Sequence, residues 1–430
     1  MKRDDAQVLE GSAMRPSAAG PAGQARAEAV LPARLSLEAR GVRRMLAALG
    51  DPPIEMKLWN GETVYAGTGP AVAGIRIANR SALFGLLVNP DLYFGDAYSK
   101  GTLAVEGDLV KLLEMIYRGQ AKAPPPKGLR RILGWFQRPR PNTPSGSHEN
   151  IQRHYDLGND FYRLWLDREM LYTCAYFPKP DATLEGAQLA KMDLVCRKLR
   201  LRPEESVIEA GCGWGALALH MATRYGVRVR AFNISREQIA WARSRARELR
   251  VEHHVEFIED DYRNISGRCD AFVSVGMLEH VGREQYADLG RVIDRTVESG
   301  GRGLLHSIGQ DRPSLLNPWI ESRIFPGAYP PTLRELMEVL EPWPFSVLDV
   351  ENLRLHYALT LEHWLRRFED ARERVRAQYG ESFVRTWRLY LAGSLAAFNT
   401  GKLHLFQVVF ARASSNDVPW TRAYLYDKGK

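Results

Sequence analysis

The 430-residue sequence predicts an α/β protein: a Rossmann-like doubly wound sheet with a smaller N-terminal α+β domain. Three observations carry this. From residue 148 onward, short apolar runs alternate with amphipathic helical stretches. The first of those runs, Val207-Ile208-Glu209-Ala210, ends in a closely spaced glycine triplet, Gly211, Gly213 and Gly215. Before residue 121 the pattern changes to two helical stretches separated by short strand-like runs. A chain alternating strand and helix closes as a doubly wound sheet that binds ligands at the carboxyl ends of its strands. Its length exceeds the usual size of one domain, so two are expected.

Taken in order, residues 1–34 are rich in Ala, Arg, Gly and Pro and lack the continuous apolar core of a secretory signal, so they read as a disordered tail. The small α+β domain spans 35–120, with a helix over 37–49 and a strand-like run over 55–59. The pair Asn60-Gly61 signals a hairpin turn. A second helix over 109–118 lines up Leu109, Leu112, Leu113 and Ile116. Residues 121–147 form a Pro-rich basic linker, with Pro124-Pro125-Pro126, Pro139, Pro141 and Pro144. Within it, 128–138 interleaves Arg with Leu, Ile, Trp and Phe, a pattern that suits an anionic membrane surface or a flanking domain equally. The catalytic domain spans 148–415, with strands expected at 206–210, 228–234, 255–259, 271–275, 303–307, 346–350 and 405–411. The last has no helix after it and suits antiparallel insertion. Residues 416–430 are a C-terminal tail.

Composition narrows the class. Hydrophobic content of 45% supports well-packed cores, and a net charge of +8 favours anionic partners, either nucleic acid or an anionic membrane surface. No apolar run reaches the roughly eighteen residues of a membrane span. The four cysteines (Cys174, Cys196, Cys212, Cys269) show no C-x-x-C spacing, which argues against a metal site or a disulfide framework and for a reducing, cytoplasmic compartment.

The glycine triplet reads G-x-G-x-G, and residues 216–224 after it read as a helix. It is neither the G-x-G-x-x-G that seats a pyrophosphate nor a P-loop, which ends in Gly-Lys-Ser/Thr. Glycines let a backbone pass close to a ligand. A glycine turn without phosphate-cradling features suits an adenosine with an uncharged or zwitterionic tail, which is S-adenosylmethionine. The fold class is then that of a class I methyltransferase.

Several ordered motifs resemble the cyclopropane-fatty-acyl-phospholipid synthases, a family that includes the mycolic acid cyclopropane synthases. They are His154-Tyr155-Asp156-Leu157-Gly158-Asn159-Asp160-Phe161-Tyr162, Tyr172-Thr173-Cys174-Ala175-Tyr176-Phe177 and the glycine triplet. Gly276-Met277-Leu278-Glu279-His280-Val281-Gly282, His306-Ser307-Ile308-Gly309 and Ile324-Phe325-Pro326-Gly327 follow, then Tyr390-Leu391 and Phe406-Gln407-Val408-Val409-Phe410. The resemblance implies methylene transfer from S-adenosylmethionine to a cis double bond of an unsaturated phospholipid in the membrane. It implies a bicarbonate base held by Cys174, Glu279, His306, Ile308 through its backbone, and Tyr357. Two adjacent anions repel, so Glu279 needs a proton or a partner such as His306. The resemblance also implies cofactor contacts from Tyr172, Thr173, Glu209, Gly211, Gly213, Asn233, Gln238, Asp261 and Tyr262. Trp319, Ile320, Ile324, Phe325, Tyr329 and Phe368 are candidates for lining an acyl channel.

The enzyme is expected in the cytoplasm, peripherally bound to the inner membrane, with a homodimer left open. A fatty-acyl C-methyltransferase making a methyl-branched or exomethylene chain is an alternative within the same chemistry. A nucleic-acid methyltransferase is more distant: amino-methylating DNA enzymes carry Asp/Asn-Pro-Pro-Tyr/Phe where this chain reads Gly276-Met277-Leu278-Glu279-His280, so no nucleic-acid partner is expected. Intact Cys174, Glu279 and His306 argue against a non-catalytic lipid-binding protein.

Overall fold

The computed structural model describes residues 35–122 and 157–426. The 1–34 tail, the basic segment 128–138 and the first part of the His154-Tyr155-Asp156 motif lie outside the described residues. The described residues from Leu37 onward form one compact unit.

Four short strands, β1 (Ile54–Lys57), β2 (Thr63–Ala66), β3 (Ala73–Ile77) and β4 (Leu103–Gly107), form a sheet in the order β2-β1-β3-β4. Asn60-Gly61 makes the expected turn: Gly61 has φ 87°, and the β1–β2 pair closes in register with Lys57 opposite Thr63. The expected helices occur as Leu37–Ala48 and Leu109–Lys122. The sequence reading left the helices Arg80–Val88 and Pro90–Ser99 unassigned. Each starts at an asparagine, Asn79 and Asn89, whose side-chain oxygen accepts a backbone N–H of the first turn.

The large sheet contains β5 (Ser206–Ala210), β6 (Arg228–Asn233), β7 (Val255–Glu259), β8 (Cys269–Val275), β9 (Val297–Gly309), β10 (Phe345–Asn352) and β11 (His404–Arg412). Their order is β10-β11-β9-β8-β5-β6-β7, and β11 runs antiparallel to both neighbours, as its late position suggested. Successive side chains of the inner strands point to opposite faces. Val207, Val229, Ala231 and Val273 meet the helices Leu184–Lys198, Ala216–Tyr225 and Arg236–Leu249 in one apolar cluster. Ile208, Phe232, Phe272 and Val408 meet the helix Tyr286–Thr296 in another. Burial on both faces explains why these strands read as nearly continuous apolar runs. Strand order reverses between β5 and β8, which opens a crevice at their carboxyl ends.

The small sheet region is packed onto the helix Glu381–Thr400 and onto residues after β9. Arg385 donates to the carbonyls of Tyr98 and Leu103, and Arg388 to the Tyr98 hydroxyl. Asp96 pairs with Arg323, and a Cβ on Gly95 would sit 2.4 Å from the Trp319 ring. Trp319 thus seals this junction, and Phe368 is fully buried in the core. Residues 416–426 turn back onto the fold: Asp417 takes Arg200 and Arg202, and Leu425 is buried. Among the described residues no helix is long and apolar enough to cross a membrane.

Candidate active site

Three positive-φ glycines make the turn after β5: Gly211 (84°), Gly213 (53°) and Gly215 (86°). Their reasons differ. A Cβ on Gly211 would meet the Met277 side chain at 2.9 Å, and one on Gly215 would meet Ala242 and Phe257 at 2.7 Å. A Cβ on Gly213 would meet nothing within 4 Å. Gly213 faces open space, where a ligand can lie along the backbone. The amides of Gly211 and Cys212 donate to the Phe232 carbonyl, which fixes the turn against β6. Asn233, at the end of β6, donates from one amide nitrogen to the Gly213 carbonyl (3.2 Å) and to Gln238 Oε1 (2.7 Å). Asn233, Gln238, Gly211 and Gly213 therefore form one hydrogen-bonded rim. Trp214 Nε1 donates to Asn159 Oδ1 at 2.7 Å, joining the Asn159-Asp160-Phe161-Tyr162 motif to the turn.

Asp261 follows Asp260, whose amide donates to the Asn233 carbonyl of that rim at 3.1 Å. The Asp261 carboxylate accepts from the Arg263 amide and guanidinium, both at 2.9 Å, and so caps its own turn. Tyr262, beside it, keeps its hydroxyl buried, with the Arg263 guanidinium over its ring at 4.9 Å from the centroid. Glu209 is 2% exposed: one carboxylate oxygen is satisfied at the start of the following helix by the Ala218 amide, and Oε2 is buried without a partner. Burial raises its pKa, and the Lys191 ammonium pulls it back. An orphaned acidic oxygen beside an open glycine fits a ligand carrying an ammonium group, as S-adenosylmethionine does.

Across the crevice lie Tyr172, Thr173 and Cys174. Thr173 packs its methyl where a Cβ on Gly276 would go (2.9 Å), and the Gly276 amide donates to the His306 carbonyl at 2.8 Å. Glu279, three residues on, accepts the Ile308 amide on Oε1 at 2.5 Å and keeps Oε2 buried without a partner. Cys174, Glu279, His306 and Ile308 are thus brought to one place by the ends of β8 and β9 and the segment before the Leu184–Lys198 helix. Tyr357, on the helix Arg354–Asp370, packs on Phe398 and Trp364. One turn on, the Thr360 hydroxyl takes the Ala175 amide, which holds that helix face against the cysteine segment.

The electrostatics select protonation states. Burial pushes the Glu279 carboxyl up to about 7 despite the Ile308 amide, so near neutrality it carries a proton for part of the time. The proton route, rather than a His306 partner, is the one present. Burial also pushes the Cys174 thiol well above its usual range, and the thiol donates to the Ala175 carbonyl. It is not a thiolate nucleophile. His306 is driven far below its ordinary value by burial and by Lys191 and Lys198, so its ring is neutral. Its Nδ1 faces Gln407 Nε2 at 2.9 Å, and its Nε2 is buried without a partner. The Ile308 amide is committed to Glu279, so as the site stands it is not a free donor for an anion.

Sequence reasoning missed the buried cations. Lys191 is 1% exposed and donates to Thr173 Oγ1 at 3.0 Å, with Asp167, Cys174 and Glu209 around it. Gln188 holds the same segment through the carbonyls of Leu171 and Thr173. The signal was available: 184, 188, 191, 195 and 198 repeat at the spacing of a buried helix face, and Lys191 and Lys198 occupy two of those positions. Aromatic rings wall the site, with Tyr172 against Tyr162, Trp165 and Trp364, and its hydroxyl 2.6 Å from that of Tyr390. Among the channel candidates, Phe325 lies between His280, tilted to it, and Tyr390, met edge to face, beside this wall, while Tyr329 spends its hydroxyl on Glu335.

The family model for mycolic acid cyclopropane synthetase matches residues 143–408, and one for a domain of unknown function matches 42–124. The chain is 34% identical to the "Probable fatty acid methyltransferase" of Pseudomonas putida over 87% of this chain and 96% of that one. It is 40% identical to the cyclopropane-fatty-acyl-phospholipid synthase of Escherichia coli K12, over 62% of this chain and 68% of the relative. Among solved structures it is similar to mycolic acid cyclopropane synthase CmaA1 complexed with SAH and CTAB, at 29% identity and a TM-score of 0.59. That match covers 61% of this chain and 98% of the other.

Proposed function

The chain belongs to the mycolic acid cyclopropane synthetase family of S-adenosylmethionine-dependent C-methyltransferases, and on that premise we propose that it is a cyclopropane fatty acid synthase acting on unsaturated phospholipids. One observation carries the reading: Glu279 Oε2 and His306 Nε2, two buried polar atoms without partners, belong to residues joined through Gly276 and Ile308 at one sheet edge. Buried polar atoms without partners mark a ligand position.

S-adenosylmethionine supplies a sulfonium methyl, an electrophile strong enough for an isolated olefin. Methyl transfer leaves positive charge on the acyl chain, and ring closure then needs a proton taken from the new methyl. That cation is acidic enough for a weak base, and bicarbonate would supply one. The neutral His306, donating from Nε2, and the Glu279 carboxyl, donating when protonated, would hold the anion. Cys174, kept as a thiol, adds no competing negative charge. Water would trap the cation, and the buried wall of Tyr162, Trp165, Tyr172 and Trp364 keeps it out while offering ring faces to positive charge.

A second reading follows from the Pseudomonas putida relative, whose name is that of a fatty acid methyltransferase: the cation loses a chain proton and gives a methyl-branched olefin, or shifts a hydride and then loses a methyl proton to give an exomethylene chain. The test is incubation with labelled S-adenosylmethionine and vesicles of one defined monounsaturated phospholipid. The expected product is one methylene heavier and has lost its olefin. A retained or exocyclic double bond selects the second reading, and absence of label in lipid overturns both. Peripheral membrane association through the 121–147 linker belongs to the same proposal, and unchanged vesicle binding at low salt after deletion of 128–138 would refute it.

A further inference from the structure

Behind the site, three consecutive strands place Glu351, Gln407 and His306 in one cross-strand row: Glu351 is opposite Gln407 in the β10–β11 pair, and Gln407 is opposite His306 in the β11–β9 pair. Lys198, the last residue of its helix, reaches into this row and donates to Glu351 Oε2 at 2.5 Å and to Gln407 Oε1 at 2.7 Å. Lys198, Gln407 and His306 are 1%, 0% and 2% exposed.

The donor inventory of these groups leaves one arrangement. An ammonium only donates, so the Gln407 oxygen must face Lys198 and its NH2 must face the histidine. An amide NH2 only donates in turn, so the His306 Nδ1 it meets at 2.9 Å must present a lone pair. A neutral imidazole carries one proton, and that proton is then on Nε2. An imidazolium would put two donors against each other at Nδ1. We propose that Lys198 and Gln407 are positioning residues that lock His306 as its Nε2–H tautomer, so that the ring offers a donor to the anion-holding cluster with Glu279. Burial and the two nearby ammonium groups, which disfavour the charged ring, act in the same direction. Glu351, partly exposed at the sheet edge, balances the charge of Lys198.

The proposal deepens the synthase reading and rests on it for its functional half. Its structural half is tested without activity, by nitrogen NMR of the full chain labelled at histidine, with His306 assigned from a His306→Gln variant. The wild type is expected to show an unprotonated Nδ1 and a protonated Nε2 at His306. A protonated Nδ1 overturns the proposal. Gln407→Glu presents a carboxylate to the same nitrogen and is expected to move the proton to Nδ1. In that variant, methyl transfer should fall on the order of 10- to 100-fold in kcat, with KM for S-adenosylmethionine nearly unchanged. Tautomer reversal without loss of kcat overturns the functional half. Should Gln407→Glu not fold, Lys198→Met is read instead; it frees the amide to turn over and should yield a mixture of tautomers, and an unchanged single tautomer overturns the role of Lys198. A wild type that shows the expected tautomer but methylates no lipid refutes the synthase reading and leaves the tautomer assignment standing.

Discussion

The two halves of the crevice are built from different material. On the β5–β6 side, the ligand surface is backbone: an open glycine, a carbonyl rim and one asparagine bridging Gly213 to Gln238. On the β8–β9–β11 side it is buried side chains, whose protonation and tautomer are set by other buried side chains behind them. A backbone surface tolerates sequence change wherever its turn geometry survives. A surface of buried polar side chains is costly while members stay unpartnered, as Glu279 Oε2 and His306 Nε2 are, so it calls for a ligand that satisfies them. The first half can therefore bind and the second half can discriminate between protonation states.

Removing a side chain on the second half should have the largest effect. His306→Ala or Glu279→Ala is expected to lower kcat for methyl transfer by about 10²- to 10⁴-fold while S-adenosylhomocysteine binding, measured by calorimetry, stays within a few-fold. Equal losses in both measurements would erase the distinction between the halves. Next in size is the glycine turn itself. Gly215→Ala should destabilise the fold by roughly 3 kcal/mol in denaturant titration, from the positive φ and the 2.7 Å approach to Ala242 and Phe257. Gly213→Ala has open space around its Cβ and should cost about 1 kcal/mol of stability. Its main effect should be on cofactor affinity, and the reverse ordering would show that the open space is not where the ligand lies.

The protonation of Glu279 can be read from stability. Its folded value of about 7 lies above the ordinary 4.5, so between these the native state binds more protons than the unfolded state. Stability from this group is then lost as pH rises from about 4.5 to about 7. Glu279→Gln removes that loss, so its stability relative to wild type should improve from pH 5 to pH 8 by at most about 3 kcal/mol, measured by denaturant midpoints. A flat difference would mean that the carboxylate is ionised throughout. The smallest effect is expected at Asn233→Ala, which opens the rim and should weaken S-adenosylhomocysteine binding by about 1 kcal/mol without changing kcat.

The same contrast explains what could be read from the chain. Strand positions and the antiparallel last strand were legible, because burial on both faces writes an apolar run and a strand with no following helix has few placements. Gly211, Gly213 and Gly215 were legible because positive φ demands glycine. The second half was legible only through resemblance. No local pattern tells that Glu279 turns to the Ile308 amide, since that contact joins residues 29 positions apart in the finished fold; Asp261 capping the turn at Arg263 is a local pattern. The buried lysines could have been found from their helix register. That they serve Thr173 and Gln407 could not, because those partners meet them only after strands distant in sequence are assembled.

The junction at Gly95 also bears on how this enzyme can be cut and recombined. Trp319 and the guanidinium of Arg385 complete their packing on Gly95, Tyr98 and Leu103, so the methyl-transferring part is not an interchangeable cassette. Grafting it behind a foreign leader, or removing residues 37–122, would leave the Trp319 indole facing water and the Arg385 guanidinium without its carbonyl partners. Such a chimera would need a polar residue in place of Trp319 before it stayed in solution.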